Sequence, residues 1–188
     1  MAMEKYTMIW VDSKEDTKDF APIFQGLQGE LLKNPSKYQV KQVLKAHPER
    51  PLLVCGHGDS TGVYNEDMTD YVLGKLNVHL LKELPYMIGI WCYAGNFADH
   101  YHLRGFFTSM FISNHEEATE CGFGMANPET IAKENIKFSE RINLLIHNQI
   151  PPKEWPVLLQ QLAHIQNLEP DEAFVGYNYE ALAWFDSK

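Results

Sequence analysis

Two short stretches limit the possible folds of this chain more than any others. They are Leu52-Leu53-Val54-Cys55-Gly56-His57-Gly58-Asp59 and Met87-Ile88-Gly89-Ile90-Trp91-Cys92-Tyr93-Ala94-Gly95. Each is an apolar run of strand length that stops at a reactive side chain followed by small or polar residues. Strands buried on both faces of a parallel sheet read as unbroken apolar runs. In open α/β sheets ligands bind just beyond the carboxyl ends of such strands. The pair therefore delivers a His and a Cys to one end of one sheet.

The rest of the chain supplies partners for these strands. Tyr6 to Val11 is a further apolar run, ending at Asp12. Phe20, Ile23, Phe24, Leu27 and Leu31 recur at helical spacing, with Asp19 as a cap and Pro22 in the first turn. Gly26 and Gly29 weigh against that helix by roughly 1 kcal/mol each. Ser36 caps a second predicted helix carrying Val40, Val43, Leu44 and His47, stopped by Pro48. After His57, Gly62–Asn65 and Tyr71–Leu73 read as the arms of a hairpin. Asn77 is the expected cap of a short helix through Leu80, Leu81 and Leu84. Phe106–Ser113 reads as another strand, followed by a polar loop from Asn114 to Gly122. Asn127-Pro128-Glu129 starts a helix with Pro at its first position, carrying Ile131, Phe138, Ile142, Leu145 and Ile146. Leu158, Leu159, Leu162 and Ile165 suggest one more helix, and residues 171–185 fit neither period. Strands alternating with helices make a mostly parallel sheet with helices on both faces. The expectation is one three-layer α/β domain over residues 1–188, with 151–188 as a C-terminal extension.

Composition narrows the function. The chain has 188 residues, 45% of them hydrophobic, enough for one well-cored domain. Its formal net charge of −9 is a poor match for a phosphate backbone, so no nucleic-acid partner is expected. Nothing approaches the roughly 20 apolar residues of a membrane span, so no membrane partner is expected either. Met1-Ala2-Met3-Glu4-Lys5 enters a short apolar run without a signal-peptide pattern. Three cysteines argue against a disulfide framework and for a reducing, cytoplasmic setting. No stretch singles out an oligomer interface.

A Cys nucleophile needs a proton partner, because the thiolate is the reactive form. His is the side chain suited to that task at neutral pH. Gly58 lets backbone N–H groups approach a substrate, and the Cys92 N–H can point at a developing oxyanion. The order apolar strand–Gly-His-Gly, then 35 positions on, apolar strand–Cys-x-Ala-Gly resembles the caspase-like group of cysteine peptidases. That group includes caspases, metacaspases, gingipain- and clostripain-like peptidases and CHAT domains. The hairpin after His57 is similar to what such domains place there. The resemblance spans roughly residues 50–115 in motif and 5–145 in strand order. It implies a caspase-like fold and cleavage of a polypeptide substrate by a Cys-His dyad. Cys92 would be the nucleophile and His57 the proton donor, with the Gly58 and Cys92 amides as oxyanion hole. It also implies a substrate pocket lined after the first strand and near the later strand ends, where Asp12, Glu116 and Glu117 stand. Asp12 is the substrate-binding candidate, and an acid there would favour a basic residue before the cut. Ile90 stands where metacaspases carry an acid, so their specificity is not implied, and Trp91 is bulkier than the usual neighbour of the nucleophile.

Other readings of the same residues are open. A non-catalytic domain of this fold could bind a protein partner. Gly58-Asp59-Ser60-Thr61-Gly62 matches the G-x-S-x-G elbow of serine hydrolases, with Ser60 as nucleophile. That elbow requires a strand turning directly into a helix, whereas Gly62 onward reads as extended. Cys55 is expected in the core and Cys121 in a loop. His100, His102 and His115 lack a C-x-x-C or H-E-x-x-H context, so neither a metal nor a cofactor is expected.

Overall fold

The computed structural model describes residues 4–13 and 17–186. Met1 to Met3, part of the amino-terminal stretch read above, lie outside them. The main sheet has six strands in the order β2-β1-β3-β7-β8-β9. They are β1 (Lys5–Trp10), β2 (Gln28–Lys33), β3 (Leu52–Cys55), β7 (Met87–Ile90), β8 (Gly105–Phe107) and β9 (Ala183–Phe185). The first five are mutually parallel and β9 closes one edge antiparallel to β8. A smaller antiparallel sheet joins β4 (Gly58–Asp59), β5 (Gly62–Tyr64) and β6 (Tyr71–Gly74). The chain is thus α/β with a mostly parallel mixed sheet.

Side chains alternate across these strands, and each face of the main sheet carries its own buried cluster. On one face Met8, Leu53, Cys55, Ile88, Ile90 and Phe106 pack with Phe20, Ile23, Phe138, Trp155 and Phe174. On the other Ile9, Leu52, Val54, Met87 and Phe107 pack with Val40, Leu44, Leu80, Trp91 and Phe97. Phe20 and Ile23 come from a 3-10 helix (Thr17–Phe24) and Trp91 from the turn after β7; the other partners come from α1 (Lys37–Ala46), α2 (Val78–Leu81), α3 (Ala94–Tyr101), α5 (Pro128–His147), α6 (Trp155–Ala163) and α7 (Ala173–Glu180). A short α4 (His115–Glu120) precedes α5. Residues after Pro151 therefore supply core side chains and one edge strand of the main sheet. No described helix is long and apolar enough to cross a membrane.

Several elements differ from the sequence expectation, each for a local reason. Phe20 to Leu31 is not one helix: a 3-10 helix covers Thr17–Phe24, and Leu31 lies in the edge strand β2. Pro22 removes a donor, Gly26 turns the chain at φ 70°, and Gly29 lies so close to the Tyr6 backbone that no Cβ would fit. Of the expected Phe106–Ser113 strand only Phe106 and Phe107 lie in β8; the Thr108 N–H still reaches the Gly89 carbonyl, and the backbone of Ile112 and Ser113 bonds side chains instead. The expected loop from Asn114 contains α4, whose Asn114 cap accepts from the Glu117 N–H at 2.9 Å. Asn77 is the N-cap residue of α2 as expected, but its side chain makes no cap bond there and accepts instead from the Gly74 N–H at 3.1 Å, inside a 3-10 turn that runs into a helix ending at Leu81 rather than Leu84. The ambiguous 171–185 region forms α7 and β9.

Ser36 caps α1 as expected. Its hydroxyl accepts from the Gln39 N–H while the Gln39 side chain accepts from the Ser36 N–H at 2.8 Å. Ser36→Ala should lower unfolding stability by about 0.5–2 kcal/mol, read as a shifted urea midpoint at unchanged slope, and Ser36→Asp should retain most of it.

Candidate active site

The site begins with the pairing of β3 and β7, in register from Leu52↔Met87 to Cys55↔Ile90. One further bond, Gly56 N–H to the Ile90 carbonyl at 3.2 Å, carries the pairing just past the ladder. The two chains then part, β3 into the His57 turn and β7 into the Trp91-Cys92-Tyr93 turn. Strand order reverses between β1 and β3, the kind of crevice where open α/β sheets place their ligands.

His57 and Cys92 line one small cleft at these strand ends. Thr17, Phe20, Gly56, Ile90, Trp91, Phe111 and Ser113 complete its walls, and its free volume is ≈ 20 Å³. That is room for about one water. Both side chains are only partly buried.

Cys92 sits at a sharp strand–turn–helix junction. Tyr93 takes the left-handed conformation, φ 63° and ψ 23°, and α3 starts at the next residue. A non-glycine residue there is uncommon and needs its surroundings to hold it. Thr108 does part of that work: its buried hydroxyl accepts from the Trp91 N–H at 3.1 Å and donates to the Trp91 carbonyl at 2.7 Å. The Tyr93 N–H donates to the Ser109 carbonyl at 3.0 Å and the Gly95 N–H to the Thr108 carbonyl at 2.8 Å. The Ala94 N–H donates to the Trp91 carbonyl at 3.2 Å, so none of these three amides can also serve a substrate oxygen. The Cys92 thiol donates to the Phe111 carbonyl at 3.4 Å.

The same segment is pinned from below by two buried amides. Asn178 of α7 accepts from the Ile112 N–H at 2.8 Å and donates to the Ile112 carbonyl at 3.0 Å. Asn135 of α5 donates to the Ser113 carbonyl at 2.8 Å. Glu117 accepts from the Ser113 N–H and hydroxyl at 2.7 and 2.9 Å. These bonds replace the ladder that a continued β8 would have used, since buried backbone groups must find partners.

On the His57 side, the Tyr64 N–H donates to the His57 carbonyl at 2.9 Å, and Gly58 faces Val63 in β5. In an antiparallel ladder bonded and non-bonded pairs alternate, so the Gly58 N–H points away from β5. No side chain fits at Gly58, where a Cβ would strike the Gly62 carbonyl and the Trp91 ring. Trp91 turns into the core on the α3 side and its Nε1 donates to the Asp59 carbonyl at 3.1 Å. The residue beside Cys92 thus ties down the strand that follows His57.

Asp59 is held in turn by the Tyr64 hydroxyl at 2.5 Å, the Tyr71 hydroxyl at 2.8 Å and the Thr61 N–H at 2.6 Å. Burial alone would raise its pKa, but these donors outweigh burial and hold it below the usual carboxylate value.

The other candidate residues fall elsewhere. Asp12 lies at the end of β1, outside the walls of the cleft, with its carboxylate 2.7 Å from Lys33 Nζ. Glu117 serves the start of α4 and Glu116 is exposed. Ser60 is exposed in the β4–β5 turn, and the strand–turn–helix junction belongs to Cys92 instead. Cys55 is fully buried in β3, and burial pushes its thiol pKa up. Cys121 is pushed up as well, by burial and then by Glu117 and Glu120. The Tyr177 hydroxyl of α7 has its pKa raised, by burial first and then by the charges of Cys121, Tyr93 and Cys92. Thr108, Asn135, Asn178 and Tyr177 were not among the candidates. Asn135 had a signal, since it is a lone amide on the apolar stripe of the helix read from Asn127 onward, a position that calls for a buried partner; Asn178 had none, because no period was legible around it.

No protein-family model matches this chain, and no curated protein matches it.

Because the Asp59 pKa is depressed on folding, its contribution is present above the ordinary carboxylate range and lost as pH falls through the folded value. Asp59→Asn should cost at most about 1 kcal/mol at neutral pH, since the carboxylate is only partly buried and water screens it, and the gap to wild type should narrow as pH falls below about 4. Urea unfolding of both proteins across that range reads the difference.

Proposed function

We propose that this chain is a cysteine peptidase of the caspase-like kind, a three-layer α/β domain with helices on both faces of its sheet. The observation that carries the reading is the shared cleft: His57 and Cys92 follow adjacent parallel strands and line the same small space. In this reading His57 takes the Cys92 thiol proton as the sulfur attacks a peptide carbonyl, and the carbonyl π electrons move onto oxygen. The Gly58 and Cys92 N–H groups bond that oxyanion. His57 gives its proton to the leaving amine as the C–N bond breaks, leaving a thioester on Cys92. Water, deprotonated by His57, then attacks the thioester and releases the acid and the thiol. Free thiols at Cys55, Cys92 and Cys121 fit a reducing, cytoplasmic setting.

A second reading is a non-catalytic domain of the same fold that binds a protein partner. The narrowness of the cleft favours it, since ≈ 20 Å³ does not admit a peptide side chain without movement of its walls.

The two readings differ in one experiment. The protein is incubated with a proteome-derived peptide library, and new amino termini are identified by mass spectrometry. The peptidase reading predicts new termini with wild type and none with Cys92→Ala, with His57→Ala lowering the rate by ~10²-fold or more. No wild-type cleavage, or cleavage that persists in Cys92→Ala, would reject it.

A further inference from the structure

Away from the Cys92 cleft, a cavity of ≈ 350 Å³ opens between α1 and the β5–β6 hairpin. That is within the size range of small-molecule sites, which combine apolar walls with a few placed polar groups. Lys37 and Lys41 stand one turn apart on α1, and Lys75 comes from the 3-10 turn after β6. Lys37 is already paired with Asp70, which lines the same cavity. Lys41 and Lys75 form no ion pair among the described residues. Leu76 lines the same cavity and is 77% exposed, the most exposed large apolar side chain among the described residues.

A chain of net charge −9 repels anions at long range. Here two ammonium groups with no ion pair among the described residues share one cavity with a leucine left in water. An occupant that satisfies all three must carry negative charge at one end and apolar surface at the other. The cavity is sized for a single compact molecule rather than a length of chain.

We propose that this cavity binds a small amphipathic anion: a carboxylate, sulfonate or phosphate on a compact apolar body, with Lys41 and Lys75 holding the charge and Leu76 covering the body. The site does not depend on the peptidase reading. It does touch the same hairpin, because Tyr71 lines the cavity and its hydroxyl bonds Asp59, two residues after His57.

The test is calorimetric titration of the full chain with 1-naphthoate at neutral pH and low salt, beside its uncharged analogue 1-naphthalenemethanol. The proposal predicts saturable one-site binding of naphthoate. The alcohol and the Lys41→Gln/Lys75→Gln variant should each bind about 10-fold more weakly or worse, and added salt should weaken the wild type. Leu76→Ser should also weaken naphthoate, with no change in its salt dependence. The proposal is overturned if naphthoate shows no saturable binding, if the alcohol binds as tightly, or if the double variant keeps wild-type affinity. The comparison of the two probes on wild type stands even if a variant folds poorly.

Discussion

The β3–β7 pairing is the constraint on which the rest depends. Four residues of each strand run in register, all eight buried, and the Gly56–Ile90 bond extends the pairing to the last residue before the chains part. His57 and Cys92 then leave the sheet at the same level on neighbouring strands. A slip of one residue would send every side chain of one strand to the other face. Cys92 would then stand where Trp91 now packs. Trp91 adds a second lock, because its ring fills the space that a side chain at Gly58 would need and its Nε1 holds the Asp59 carbonyl.

A second layer of order comes from the chain after β8. Its hydrogen bonds are spent on the Cys92 turn above and on Asn135, Asn178 and Glu117 around it. Helices α5 and α7 therefore reach the thiol through one stretch of backbone, ending at the Phe111 carbonyl. Removing either amide would strand a buried backbone group, typically a cost of ~1–3 kcal/mol. The same helix α7 carries Tyr177, whose pKa is raised by burial first and then by the charges of Cys121, Tyr93 and Cys92.

What could be read from the sequence was whatever local chemistry decides. The central strands declared themselves as apolar runs, α1 by its Ser36 cap, and α5 by Asn127-Pro128. The hairpin after His57 followed from its two extended arms. Phe20 to Leu31 was misread because its apolar spacing is helical, while Pro22, Gly26 and Gly29 each oppose a helix and the edge of β1 was available for pairing. The segment after Phe107 looked like strand because it is apolar and extended, but its partners are side chains from distant helices that no local pattern announces. The Asn114–Glu117 cap was present in the sequence, hidden among acidic residues that suggested a loop. Asp12 carried a reasonable charge argument, yet its partner Lys33 arrives only through the β1–β2 pairing.

The claim that everything else serves is that the Cys92 thiol and the His57 imidazole work as one unit. The most direct measurement is the rate of Cys92 alkylation by iodoacetamide across pH, followed by peptide mass spectrometry in wild type and in His57→Ala. Cys55 and Cys121 provide internal references whose thiols are pushed up by burial. A working pair predicts that Cys92 labels fastest of the three at neutral pH, and that His57→Ala slows it and changes the shape of its pH profile. Identical profiles in the two proteins, with Cys92 no faster than Cys121, would contradict it.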